Sequence, residues 1–216
     1  MPRMLPHALP DDVGLRFAAP STGAAPPDVL SRAERERLAT FGHPDRRLGF
    51  VLGRTAAREL LAERLGCAPA DVPLVVAPSG APVVAGDDLH VSIAHAGRGA
   101  ESLAAAAVAP RRLGLDLERI QPRRADLYQR ILRPEEYALL DRLPLDHDAA
   151  QTLLWSLKEA VLKGLHTGLR RSTRSIHLVS LGDGRAQADA GDGSHWALHY
   201  GRRGGCWVSV ALAEDP

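Results

Sequence analysis

The amino-acid sequence predicts an α+β fold built as two similar halves that join near residue 110, each running from helices into strands. Three observations support it: a leucine-rich stretch at helical spacing in each half, a group of short strand-like runs after each, and Gly and Pro punctuating those runs. The expected organisation is an irregular N-terminal segment at 1–28, a first half at 29–110 and a second half at 111–216.

Residues 1–28 hold six of the 16 prolines and read as irregular chain over the surface. Order begins where Ser31-Arg32-Ala33-Glu34 has the form of a capping box, predicting a short helix to about Thr40. His43-Pro44-Asp45 restarts the chain. Leu48, Val51, Leu52, Leu60, Leu61 and Leu65 then recur near helical spacing until Gly66 offers a stop, which predicts the longest helix of this half. VPLVVA (72–77), Val83-Val84 and HVSIAH (90–95) read as strands around the turn at Pro78–Pro82. SLAAAAVA (102–109) favours helix by composition, but it is short and lies between Gly99 and Pro110, so it is read as a strand. Leu113, Leu115 and Leu117 alternate with Gly114, Asp116 and Glu118, the period-two pattern of a strand. The second half then predicts helical stretches at 125–143 and 148–166 and strands at 176–181, 195–200 and 206–212.

The 216 residues carry 27 basic and 26 acidic side chains, a net charge of +1 that gives no electrostatic case for nucleic-acid or polybasic membrane binding. No run approaches the roughly 18 apolar residues of a membrane helix, and MPRMLPHALPDDVG has no signal-peptide core, so a cytoplasmic location is expected. Cys67 and Cys206 lie far apart without a CxxC pair and read as small core or surface residues. Only Lys158 and Lys163 among the basic residues are lysine, and both fall in LLWSLKEAVLKGL. Either an arginine-favouring composition left two by accident, or a compact ammonium is required there in place of a planar guanidinium.

Side chains two apart on a strand share a face, so Asp116 and Glu118 present two carboxylates together. Such a pair needs a cation, either an arginine such as Arg111, Arg112 or Arg119 at an exposed edge, or a hard metal ion such as Mg²⁺. Trp155, Glu159 and Lys163 stand at i, i+4 and i+8 on one helical stripe, with Leu153, Leu154, Leu157, Val161 and Leu162 supplying the packing. Glu159–Lys163 is either an ordinary surface ion pair or an acid that binds metal or accepts a proton beside a phosphate-holding lysine.

The run HVSIAHAGRG, then LGLDLE about twenty residues on, then WSLKEAVLKGLHTGL about forty after that, resembles the Sfp-type 4′-phosphopantetheinyl transferases across residues 44–170. The resemblance implies two pseudo-twofold-related α+β halves with the active site in the cleft between them. It implies transfer of the phosphopantetheine arm of coenzyme A to a serine of an apo acyl, aryl or peptidyl carrier protein, releasing adenosine 3′,5′-bisphosphate. It assigns Mg²⁺ to Asp116, Glu118 and Glu159, catalysis to Glu159 and Lys163, and coenzyme contacts to His95, Arg46, Arg47, Arg54 and Lys158. The arginines at 123, 124, 130 and 133 suit an acidic carrier, and two halves in one chain suit a monomer. Fatty-acid, polyketide and nonribosomal-peptide carriers all remain open. The chain departs from the family pattern at Ala94 and Ala96 beside the histidine, at Gly80-Ala81-Pro82, and at His166 where the motif has glycine. Those departures support a carrier-binding module without activity as an alternative, and another Mg²⁺-dependent phosphoryl-transfer enzyme would share the acids.

Overall fold

The first strand lies where the prolines concealed it. β1 (Gly14–Ala18) falls inside the segment expected to be irregular, and it pairs antiparallel with β5 (Leu103–Ala109) from Gly14 opposite Val108 to Ala18 opposite Ala104. Its partners are distant in sequence: Arg16 pairs with Glu59 at 3.2 Å and also with Glu63, both on the long helix of this unit. The computed structural model describes residues 9–20, 29–140, 143–167, 171–182 and 184–214. They divide into a unit of Asp11–Pro110 and a unit built on Arg111–Pro216.

In the first unit Ser31 caps α1 (Arg32–Ala39) as its sequence requires: the hydroxyl accepts from the Glu34 N–H at 3.3 Å and the Glu34 carboxylate accepts from the Ser31 N–H at 3.0 Å. His43 caps α2 (Pro44–Leu65), and Gly66, at a left-handed φ of 66°, ends it. β2 (Leu74–Val76) and β3 (Pro82–Val84) form a separate hairpin, and β4 (His90–Ala96) joins β5, giving a three-stranded antiparallel sheet in the order β1-β5-β4. α2 packs on all three strands. Ala104 to Ala107, Val108 and Ala109 are all fully buried. Burial on both faces removes the alternation by which a strand is recognised.

In the second unit β6 (Leu113–Arg119) is followed by α3 (Ala125–Ile131), the short α4 (Tyr137–Leu140) and α5 (His147–Gly164). β7 (His177–Gly182), β8 (Arg185–Asp189), β9 (His195–Arg203) and β10 (Cys206–Ala213) complete an antiparallel sheet ordered β6-β10-β9-β8-β7. The helix expected over 125–143 is broken, because Pro134 forces Arg133 into an extended conformation (φ −85°, ψ 155°) and Leu132 follows it. The repeated order of elements is real at the level of topology. In each unit the opening strand pairs with the last strand and the last with the one before it (β1-β5-β4 and β6-β10-β9), with one long helix packed on the sheet. Among the described residues no helix is long and apolar enough to cross a membrane.

Candidate active site

Gly114 determines how close α5 comes to β6. A Cβ there would lie 1.8 Å from the Ala160 carbonyl oxygen and 2.5 Å from the Gly164 nitrogen, so only hydrogen lets the helix backbone rest on this face of the strand. Asp116 and Glu118 follow at the next two positions on the same face, opposite Ser209 and Trp207 of β10. From Ala149 to Gly164, only Trp155, Glu159 and Lys163 are not fully buried, which is the stripe the sequence predicts. The close approach brings that stripe to the acids: Lys163 Nζ donates to Asp116 Oδ1 at 2.7 Å.

The remaining groups are crowded carboxylates. Asp116 is 3 % exposed, and its Oδ2 is buried with no hydrogen-bond partner among the described residues. Burial, then repulsion from Asp116, pushes the Glu118 carboxyl up to about 7 against the pull of Arg123 and Lys163. Burial and then Asp116 likewise raise Glu159, opposed by Lys163. The Trp155 indole N–H also favours the ionised form of Glu159 without completing a full hydrogen bond. Three hard oxygen donors, two of them raised by burial and then by the charge of Asp116, and Asp116 itself keeping an orphaned buried oxygen, suit in chemical type a divalent cation such as Mg²⁺, which takes one or two carboxylates and keeps its waters. Among the described residues no group of three or more His, Cys, Asp or Glu side chains stands close enough together to hold a metal ion as placed.

Lys158, expected among the coenzyme contacts, is turned inward. It is fully buried, donating to Glu136 Oε2 at 2.5 Å and to the Ile131 carbonyl at 3.2 Å. Glu136 also accepts from the Arg133 N–H at 2.8 Å and the Leu178 N–H at 3.2 Å, so the pair ties α5 to the turn before α4 and to β7. Position 158 lies one residue, about 100° of helix, from Glu159, and that rotation takes its ammonium to the packed side. Arg123 is likewise no surface residue: its guanidinium bonds Glu118 Oε2 at 2.5 Å and stacks 4.3 Å from the Trp155 ring centroid. Arg124 and Arg130 do face solvent.

α5 ends in an unusual conformation. His166, standing where the motif has glycine, has φ 55°, the left-handed backbone that glycine tolerates without a Cβ clash. Its side chain is partly buried, and burial followed by the charge of Arg112 lowers its pKa. The motif's closing glycine, Gly168, lies outside the described residues.

Within the first unit, His95 and two of the predicted arginines share a cavity of about 220 Å³ lined also by Phe41, Phe50 and Pro82. Gly49 and Gly53, one turn apart on α2, allow it: a Cβ at Gly49 would lie 2.9 Å from His95 Nδ1 and one at Gly53 2.7 Å from Ile93 Cγ2. Arg46 stacks on Phe41 at 4.6 Å and Arg54 on Phe50 at 5.4 Å. Arg54 is only 8 % exposed, lies 3.5 Å from Glu34, and has a buried Nη1 without a hydrogen-bond partner among the described residues. A guanidinium so placed has spare donors for an anion. Arg47 does not line this cavity; it donates to the Leu38 and Phe41 carbonyls and secures the end of α1. Gly80 and Pro82 of the turn that lacks lysine do line it.

A sheet-and-helix unit whose β6 acids meet a lysine and a glutamate of α5 defines a class that comparison with known proteins identifies. The sequence model of the 4′-phosphopantetheinyl transferase superfamily matches residues 112–211, the span from just before β6 into β10. The 4′-phosphopantetheinyl transferase of Bacillus subtilis is 29 % identical over 170 residues, covering 76 % of this chain and 73 % of that protein. A Synechocystis sp. protein named for the same activity is 26 % identical over 205 residues, 87 % of this chain and 80 % of that one. Residues 112–211 are thus similar to that superfamily, and both relatives, which cover most of the chain, are named for phosphopantetheinyl transfer.

Proposed function

We propose that the protein is a Mg²⁺-dependent transferase that moves the 4′-phosphopantetheine arm of coenzyme A to a serine hydroxyl of an apo carrier protein, releasing adenosine 3′,5′-bisphosphate. The observation that carries this reading is the cluster on β6 and α5, where Asp116 keeps an unpartnered buried oxygen while Glu118 and Glu159 are both raised by burial and by Asp116.

Asp116, Glu118 and Glu159 would hold the metal, which would supply positive charge to the pyrophosphate. Lys163 presents its ammonium to the phosphate that departs with the adenosine, where negative charge grows as the bond to the transferred phosphorus breaks. Glu159 accepts the proton of the attacking serine hydroxyl. The serine oxygen bonds to the phosphorus bearing the pantetheine, and the bridging oxygen leaves with the adenosine bisphosphate. Positioning and charge stabilisation make up nearly all that the protein contributes to such a transfer. Arg46, Arg54 and His95 around the first-unit cavity hold coenzyme phosphate, with Arg54 Nη1 supplying the free donor. The protein acts in the cytoplasm as a monomer, on a carrier of fatty-acid, polyketide or nonribosomal-peptide assembly.

Incubation with coenzyme A, Mg²⁺ and an apo carrier, with the carrier weighed by mass spectrometry, tests this. A phosphopantetheine mass gain that disappears in Glu159→Gln and Asp116→Ala is expected. No gain on any carrier that a known transferase modifies would overturn the proposal in favour of a carrier-binding module without activity, the reading to which Ala81, Ala94 and Ala96 lend weight.

A further inference from the structure

We infer that Arg123, a residue outside every motif of the chain, is the positioning residue that sets the Glu118 carboxylate for the metal, using Trp155 as its support. The inference rests on the functional reading above. The chain leaves β6 at Arg119, and the Ile120 N–H donates to the Gly205 carbonyl at 3.0 Å. Three residues later Arg123 comes back to the strand's own acid. Its Nη2 bonds Glu118 Oε2 at 2.5 Å, and its Cζ lies over the Trp155 ring, 4.3 Å from the ring centroid. Both partners are largely enclosed, at 17 % and 22 % side-chain exposure, so the pair is screened far less than a surface ion pair.

The chemistry requires arginine. A planar guanidinium can lie on an indole face while directing an N–H in its own plane at a carboxylate, whereas an ammonium has no such plane. Trp155 is one turn before Glu159 on the open stripe of α5, so a guanidinium stacked on it ties the β6 acid to the helix that carries the other two functional groups. Asp116 follows the same arrangement, with Oδ1 held by Lys163 and Oδ2 left without a partner. Each strand acid is therefore hydrogen-bonded by a different cation: Asp116 by Lys163, and Glu118 by Arg123. Partners that orient metal-ligating carboxylates in this way commonly alter metal affinity ten- to a hundredfold, on the order of the effect expected here.

The test is a titration of the full-length protein with Mn²⁺ in saturating coenzyme A, with free Mn²⁺ read by electron paramagnetic resonance, on wild type, Arg123→Ala and Arg123→Lys. A dissociation constant about tenfold higher in Arg123→Ala is expected, with Arg123→Lys in between because it keeps the charge and loses the fork and the stack. Thermal melts run alongside establish that each variant is folded, and the lysine variant carries the test if the alanine variant is not. Equal or tighter Mn²⁺ binding in the folded variants overturns the inference, since it would make Arg123 a bystander or a competitor of the metal. Absence of binding by the wild type would instead remove the functional reading, and this inference with it.

Discussion

Gly114→Ala is the sharpest single test of how the site is assembled. The added methyl would stand 1.8 Å from the Ala160 carbonyl oxygen and 2.5 Å from the Gly164 nitrogen, both backbone atoms that no rotamer change can move. Restoring an ordinary contact requires α5 and β6 to separate by about 1.5 Å. The bond from Lys163 to Asp116 is 2.7 Å long, and the same displacement would carry it beyond hydrogen-bonding reach. Overpacking of this kind costs about 1–3 kcal/mol, and a misplacement of about 1 Å at the reacting groups costs roughly a hundredfold in rate. Urea unfolding and the carrier mass assay, run on the same preparation, should therefore show a folded protein with a lower midpoint and turnover reduced by at least about two orders of magnitude. Turnover within threefold of wild type at unchanged stability would refute the claim that this glycine sets the distance between the strand acids and the helix.

Two further outcomes follow from buried groups. Lys158→Met leaves Glu136 charged and enclosed, and should lower unfolding stability by about 3–5 kcal/mol in denaturant melts; adding Glu136→Gln should recover part of that, because the neutral amide still accepts one of the N–H bonds now made by Arg133 and Leu178. His166→Gly and His166→Ala remove the same imidazole but differ at the left-handed backbone, so the glycine variant should melt higher than the alanine variant by about 1 kcal/mol, or roughly 2–4 °C for a chain of this length; equal melting would mean that the left-handed conformation is not adopted in solution.

The long helices and most strands of the fold were legible because their signals are local, whereas the single helix expected over 125–143 is broken at Pro134. The Ser31–Glu34 capping box, the Gly66 stop and the Leu113–Leu117 alternation lie within a few residues of what they determine. β1 was not legible: its reason to exist is the ladder to β5 and the ion pairs from Arg16 to α2, more than forty residues away, while nearby prolines argue for irregular chain. β8 was missed for a similar cause, since Arg185-Ala-Gln-Ala-Asp has no β-branched residue and is a strand through its pairing with β7 and β9. At the site, the stripe of Trp155, Glu159 and Lys163 emerged from helical spacing alone. Arg123 did not, because its partners Glu118 and Trp155 are brought together only by tertiary packing, and as one of a basic pair after Pro122 it was read with Arg124, Arg130 and Arg133 as suiting an acidic carrier. Spacing showed Lys158 to flank the stripe but not which way it turned; the acid that takes it, Glu136, sits beyond a helix break that only Pro134 hinted at.

The inward turn of Lys158 has a practical consequence. With two lysines in the whole chain, one of them sealed and the other 34 % exposed beside Asp116, amine-selective acylation of the folded protein becomes a report on a single functional group. Apart from the terminal amine, the adduct that forms is the one on Lys163, and its rate falls when a phosphate ligand covers that ammonium. Most proteins display many reactive lysines and hide the informative one among them. The arginine-rich makeup of this chain provides a built-in occupancy probe that requires neither a carrier protein nor turnover.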